Sequence, residues 1–404
     1  MAWRNVFRHT RRSIITAVAI SAGLTGMITM DTLMNGVDKL GTRNITEYET
    51  GQLEVFAKGY YREEGVLPLD TVINNPDSIA SLIAGTHGVR GVTERLKFPA
   101  RLNNGIDELL VLAIGIDLKR EGEVFGTPRA LVKGEFLSDQ SQCLIGAEFA
   151  QDLKADVGSI LTLICRDKNG TYNADDFTVT GLLNTGHPVI DRNAVFVELS
   201  ALQGLMAMSG KVTELCIKAD ENPVKIKNLK EVLEKKLGRD YDVYAWDELN
   251  AAIFRILGLK RTFGFLLGLI VLIIAAVGIV NTMLMAVMER IPEIGTLKAM
   301  GFPNSKIILM FLYEGGIIGA LGSFFGSFFG FLISLYLITA GLDFSKQFKN
   351  AVMNMPMKFV FKGELSTMTI LWVFIFGVAV SILVTLLPIQ RATKLEPVEA
   401  LRHV

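Results

Sequence analysis

The sequence predicts a membrane protein with four transmembrane α-helices and a large extracytoplasmic α+β domain inserted between helices 1 and 2. Three observations carry that expectation. Half of the 404 residues are hydrophobic and mean hydropathy is +0.38, a level that soluble globular chains rarely reach. Four apolar runs meet the length of about 20 residues that a helix needs to cross a bilayer. The stretch between the first two runs is too long for a loop and has strand and helix signals of its own.

The runs cover residues 13–34, 263–288, 307–340 and 368–389. Basic residues near their ends set the orientation. Arg4, Arg8, Arg11 and Arg12 precede the first run with no acid among them; Arg290, Lys298 and Lys306 follow the second; Arg391, Lys394 and Arg402 follow the fourth. With four spans all three groups share one side, which the positive-inside rule makes the cytoplasm, and both termini lie there. Residues 35–262 and 341–367 then face out. A signal peptide is the rival reading of the first run, but no small-residue cleavage site follows it, so a retained span is expected. The chain thus divides into 1–34 (N-terminus and first helix), 35–262 (outer domain with stalk helices) and 263–404 (the remaining helices).

Within the outer domain, short β-branched runs bounded by Gly, Asn or Asp predict strands at 51–57, 109–116, 159–165, 177–183, 194–199 and 212–219. Helices are predicted at 76–84, 146–155 and 222–237, the last with an apolar face of Val224, Ile226, Leu229, Val232, Leu233 and Leu237. A mixed or antiparallel sheet, in two lobes, fits that alternation. Residues 32–48 extend the first span, and 246–260, opening on Trp246, Asp247 and Glu248, lead into the second. They predict two helical stalks.

Several chemistries find no support. The nearest approach to a phosphate-binding loop, residues 204–212, has the wrong glycine spacing and no Ser or Thr after its lysine. No nucleophile motif and no paired carboxylates on a helix face stand out, so no catalytic residue is assigned. Cys143, Cys165 and Cys216 are odd in number and scattered, and four histidines lie far apart, which argues against a metal centre and favours buried thiols. The charge of zero gives no case for nucleic acid. Asp31 and Glu314 are the ionisable residues inside the runs, too few and too near the ends for an ion-coupled transporter. Glu314 is expected to reach the headgroups or to pair with Arg or Lys.

Two features remain. In the third run Gly315, Gly319, Gly322, Gly326 and Gly330 recur at spacings of three or four, a stripe that lets helices approach closely in lipid and could serve another subunit. Between the second and third runs lies AVMERIPEIGTLKAMGFPNSKI, residues 286–307, a short charged amphipathic helix. Pro292 suits its first turn, and Gly301 then Pro303 end it. Such a helix could receive force from a soluble partner.

NTMLMAVMERIPEIGTLKAMG (281–301), PIQRATKLEPVEALR (388–402) and the N-terminal WRNVFRHTRRS (3–13) resemble the FtsX/MacB-type permeases, membrane subunits of the ABC class called mechanotransmitters. The order of one span, an outer domain and three spans matches as well. GQLEVFAKGY (51–60), LIGAEFAQDL (144–153) and LLNTGHPVIDRNAVFVEL (182–199) are similar to the family's MacB-like periplasmic core domain. The pattern from Asn184 to Asp191 is similar to the lipoprotein-releasing LolC/LolE branch. The resemblance implies a bacterial inner-membrane, non-catalytic subunit that pairs with a second permease as homo- or heterodimer. It binds no cofactor itself; ATP and Mg belong to a separate ATPase. It implies that Glu289, Arg290, Glu293, Ile294, Leu297, Lys298, Met300 and Gly301 form the ATPase-coupling helix, with Arg290, Glu293 and Lys298 making polar contacts and Ile294, Leu297 and Met300 the apolar face. It further implies lipoprotein cargo drawn from membrane lipids through an apolar cleft between the first spans of the two permeases, below the outer domain, a periplasmic lipoprotein chaperone as partner and, as alternatives, MacB-like efflux or peptide export or FtsX-like regulation of a cell-wall hydrolase.

Overall fold

The computed structural model describes residues 10–61, 69–343 and 360–392. Arg4, Arg8, the C-terminal residues beyond Ala392 (Lys394 and Arg402 among them) and most of 341–367 lie outside the described residues. The chain divides into two compact units, one of residues up to Lys39 together with those from Arg255, the other Leu40–Phe254.

Helix α1 (Thr10–Asn44) runs unbroken through the first apolar stretch and past it. It ends in one π-helical turn, Ile45–Glu49. The second unit then builds one connected ten-stranded sheet. Its members in chain order are β1 (Leu53–Ala57), β3 (Val89–Asn103), β4 (Glu108–Ile116), β5 (Leu131–Gly134), β6 (Gln142–Gly146), β7 (Ile160–Arg166), β8 (Tyr172–Leu183), β9 (Ala194–Glu198), β11 (Glu214–Ala219) and β12 (Tyr241–Ala245). Short β2 (Ile73–Asn74) and β10 (Lys211–Val212) pair apart from it. The order β12-β1-β11-β3-β4-β9-β6-β8-β5, with β7 joining β3 to β8, is mixed: β4–β9 and β6–β8 are parallel and the other pairs antiparallel. The expected α+β class with a mixed sheet is met. Two lobes are not: Leu40–Phe254 is one unit, because β3 spans fifteen residues and pairs with β11, β4 and β7 at once.

Helices α2 (Pro76–Ala84) and α7 (Pro223–Leu237) match the expected ranges. Asn222 caps α7 by accepting from the Val224 N–H at 3.0 Å, and Ile226, Leu229 and Leu233 turn inward. The helix expected at 146–155 is shorter, α4 (Ala147–Asp152). Around it lie short α3 (Glu121–Val124), α5 (Pro188–Asn193) and α6 (Leu199–Leu205). One large buried cluster joins β1, β3, β6, β8 and β9 through Val55, Phe98, Ile145, Val179 and Val195. Cys143, Cys165 and Cys216 are buried free thiols.

The stalk expected from Trp246 is interrupted. A four-residue turn, α8 (Trp246–Leu249), is capped by Glu248, whose carboxylate accepts from the Ala245 N–H at 3.0 Å. Asn250 leaves helical geometry, and α9 (Ala251–Glu289) begins after it. Then follow α10 (Ile291–Ala299), α11 (Asn304–Thr339) and α12 (Thr367–Ala392). Among the described residues four helices, at Ser13–Glu49, Thr262–Glu289, Asn304–Thr339 and Thr367–Gln390, are long and apolar enough to cross a membrane.

Within the membrane unit, α1, α11 and α12 pack around Ile20, Leu24, Ile28, Ile318 and Val373. Hydroxyls tie the helices together: Thr16 Oγ1 lies 2.7 Å from Thr282 Oγ1, Thr32 Oγ1 lies 2.8 Å from Ser334 Oγ, and Ser381 Oγ donates to the Gly315 carbonyl at 2.8 Å. Such bonds satisfy polar groups where lipid offers no partner.

Candidate functional site

The glycine stripe of α11 serves this chain's own packing. A Cβ at Gly322 would fall 2.8 Å from Ile20 Cβ, at Gly326 2.9 Å from Leu24 Cβ, and at Gly330 2.9 Å from Ile28 Cβ, all on α1. Gly315 and Gly319 sit as tightly against Thr385 and Ser381 of α12. The stripe expected to suit another subunit is therefore used up inside the chain. Alternating rotation of the helix gives the last three glycines to α1 and the first two to α12. Phe324, Phe325, Phe328 and Phe329 are left on the exposed side, stacked in pairs four residues apart.

Between α1 and α11 the same packing leaves an apolar cleft of about 1010 Å³. Ala17, Ala22, Gly26 and Ile333 are among its walls, and Ser21, Thr25 and Thr29 supply scattered hydroxyls.

The 289–301 segment folds as expected in outline. Pro292 lies in the first turn of α10. Gly301, at φ +84, ends it: Phe302 N–H donates to the Leu297 carbonyl at 3.0 Å and Gly301 N–H to the Lys298 carbonyl at 2.9 Å, a Schellman closure. Three expected partner contacts turn inward instead. Ile294 is buried with Val287, Ile307, Phe311 and Ile389, and Leu297 packs against that cluster. Arg290 is buried, and its Nη1 donates to Glu314 Oε2 at 3.0 Å. The helical period explains Ile294, since Ile291, Ile294 and Gly295 form one face. Arg290 goes in because the carboxylate of Glu314, buried on α11, needs a cation. Glu289, Pro292, Glu293, Met300, Gly301 and Phe302 stay exposed, with Met300 at 63%. Lys298 is half-buried. The outward apolar surface is thus Met300 and Phe302, the second of which the sequence reading did not select.

A charged cluster in the outer unit also escaped that reading. Arg95 of β3 is fully buried, pairs with Glu121 at 2.5 Å and lies 3.3 Å from the centre of the Phe125 ring. Burial works against the charged guanidinium, and Glu121 outweighs it. Two residues on, Lys97 reaches Glu214 at 2.6 Å, beside Glu54 and the Cys216 thiol. Burial would neutralise Lys97, but Glu214 and then Glu54 hold it protonated. Burial pushes the Cys216 thiol well up, and Glu214 adds to the push. Glu54, Glu214 and Cys216 have a spacing that would suit a metal ion, but the Lys97 ammonium already supplies their positive charge. No sequence periodicity marks these residues, because a buried charged pair in a strand reads as solvent-facing.

A MacB-like periplasmic core domain matches residues 13–235 and an FtsX-like permease C-terminal region matches residues 265–397. The chain belongs to the FtsX/MacB-type permeases. Its similarity to named members runs over nearly its whole length. It is 24% identical to an uncharacterized ABC transporter permease of Methanocaldococcus jannaschii, covering 99% of this chain and 96% of that one. It is 24% identical to the lipoprotein-releasing system transmembrane protein LolC of Neisseria meningitidis serogroup B, covering 98% and 96%. It is also 24% identical to the macrolide export ATP-binding/permease protein MacB of Agrobacterium fabrum, where 99% of this chain matches 60% of that protein. As a permease of this family the chain is a membrane subunit of an ABC transporter, a class that works with an ATPase and as a dimer.

Proposed function

We propose that this permease takes ATP-driven displacement from a separate ATPase on the 289–301 segment and relays it to the outer domain, releasing lipoproteins from the inner membrane. The observation that carries the lipoprotein reading is the match to LolC end to end, 98% of one chain against 96% of the other. The MacB relative leaves a large part of its own length unmatched. Both termini and α10 face the cytoplasm in this reading, and Leu40–Phe254 faces out. The ATPase bears on Met300 and Phe302, with Glu293 and Glu289 as polar contacts, while Arg290 and Ile294 hold α10 to the membrane helices behind it.

Magnitudes favour a shielded route for an acylated cargo. Each acyl CH₂ drawn into water costs roughly 0.8 kcal/mol, so three chains of about fifteen carbons cost on the order of 35 kcal/mol. One catalytic cycle does not cover that, and the cargo's lipid must stay in apolar surroundings. The cleft between α1 and α11 supports the reading by its size and its lining.

The test is purification of the complex with whatever ATPase accompanies it, followed by ATP addition to liposomes that hold lipoprotein. Release into the soluble fraction with a chaperone acceptor is expected. ATP hydrolysis without release, with a co-purified adaptor or cell-wall hydrolase instead, would remove the cargo assignment and favour export or signalling. Met300→Asp with Phe302→Asp is expected to lower ATPase retention at least tenfold, in line with loss of a central apolar anchor worth about 1.4 kcal/mol or more.

A further inference from the structure

The junction where α1 ends is built in a way that the relay reading does not require and that its geometry explains. A helix C-terminus leaves carbonyls without intrahelical donors and carries partial negative charge. Here those carbonyls belong to a π-helical turn, a rare conformation that concentrates at functional positions. Two cations meet it, Arg95 buried and Lys97 half-buried. Arg95 Nη1 donates to the Tyr48 carbonyl at 3.2 Å and to the Glu49 carbonyl at 3.3 Å, and Lys97 Nζ donates to the Glu49 carbonyl at 3.1 Å. Glu121 alone would neutralise Arg95, so its further reach to the main chain of the turn is a separate use of its five donors. Thr127 Oγ1 donates to Glu121 at 2.8 Å and fixes that carboxylate in turn.

The opposite side is the loop from Asn184 to Asp191. The Asp191 carboxylate accepts from Thr185 N–H at 2.9 Å, Thr185 Oγ1 at 2.8 Å and Gly186 N–H at 2.8 Å, which folds the loop on itself. So folded, the loop offers the Gly186 carbonyl to Asn44 Nδ2 at 2.9 Å and His187 Nε2 to the Glu49 carboxylate at 3.0 Å. Beneath, Gly126 N–H donates to the Glu47 carbonyl at 2.9 Å, and the Tyr48 ring lies so close to Gly126 that a Cβ there would stand 3.1 Å from Cε1.

We propose that these two jaws form a socket that grips the end of α1, so that the last turns of the stalk and the outer sheet move as one rigid piece. Arg95 is its chief positioning residue and Asp191 shapes the second jaw. A hinge would show few buried contacts and solvated backbone; residues Asn44, Glu47, Tyr48 and Glu49 are each held from outside their own helix. The grip falls mainly on main-chain carbonyls, so it fixes position whatever side chains the stalk presents. The proposal rests on the relay reading and says where the relay does not bend.

The experiment uses the full chain in lipid nanodiscs with spin labels at Leu40→Cys and Lys119→Cys, both exposed sites; Cys143, Cys165 and Cys216 are buried. The expected result is one narrow distance distribution, unmoved between the nucleotide-free complex and the complex trapped with an ATP analogue. Arg95→Met with Glu121→Leu removes the Arg95 grip on the turn and leaves only the Lys97 bond to the Glu49 carbonyl, while replacing the ion pair by apolar groups of similar shape, a change folds often tolerate. It is expected to widen the distribution about two-fold, as for a segment freed to fluctuate. Asn44→Ala with His187→Ala opens the second jaw at the loop and carries the same comparison should the first variant not fold. A distance that shifts with nucleotide, or a width unchanged in the folded variants, overturns the socket. If no ATPase binds, the relay reading falls, and the widths measured in the chain alone still decide whether the jaws hold the stalk.

Discussion

Arg290 and Glu314 are 24 positions apart and meet in the membrane unit at 3.0 Å, each under 10% exposed. Removing one partner of such a pair leaves a buried charge without compensation. Arg290→Ala is therefore expected to destabilise the permease by about 3–5 kcal/mol, read as a lowered melting temperature in detergent, while Arg290→Met with Glu314→Leu recovers most of the loss. A melting temperature unchanged in Arg290→Ala would mean the pair contributes nothing. Glu94 gives a second expectation at this scale. Burial, with Asp77 adding to it and Arg120 opposing, pushes its carboxyl from near 4.5 up to about 7. The folded state then binds this proton more tightly than the unfolded chain. Stability from this group is full below about pH 4.5 and is lost as pH rises through about 7. Glu94→Gln is expected to flatten the stability–pH curve across that window; an unaltered slope would place the titration elsewhere.

At the scale of elements, helix spans were legible from apolar length, and α2 and α7 from their period and their flanking Asn-Pro steps. Strand β3 was not. Its buried positions include Thr93, Glu94 and Arg95, so the apolar alternation that marks a strand is missing, and Pro99 stands inside it opposite Leu112. The long helices show how one sequence pattern can be right about chemistry and silent about partner. Spaced glycines announce close packing, but only the fold shows that α1 and α12 fill the stripe. Gly322→Ala and Gly326→Ala are expected to cost about 1–3 kcal/mol each by overpacking, measured as thermal aggregation in detergent. Gly316→Ala, whose Cβ would stand an ordinary 3.5 Å from Ile382, is the control and should melt with the parent. Equal losses at all three positions would show that glycine flexibility, rather than closeness, is what matters.

For the whole molecule the orientation is the property most open to direct test. Cysteine placed at Met300 is expected to react with an impermeant maleimide only from the cytoplasmic side, and cysteine at Lys119 only from the outside. Reaction of both from one side would sink the relay, since force could not then cross the membrane through this chain. The buried native thiols leave the background low.

Membrane class, four spans, the order of one span, outer domain and three spans, and the family were all open to a reader of the sequence. Each depends on local quantities, such as apolar run length, charge near span ends and contiguous motifs, that survive without knowing what touches what. Which side of α10 faces out, who fills the glycine stripe, and how Arg95 reaches the end of α1 were decided by tertiary structure alone. Those outcomes depend on pairs such as Arg290 with Glu314, Gly326 with Leu24, and Arg95 with Glu49. A charge or a small residue carries the same letter whether water, lipid or a buried partner will satisfy it, so only folding could settle which.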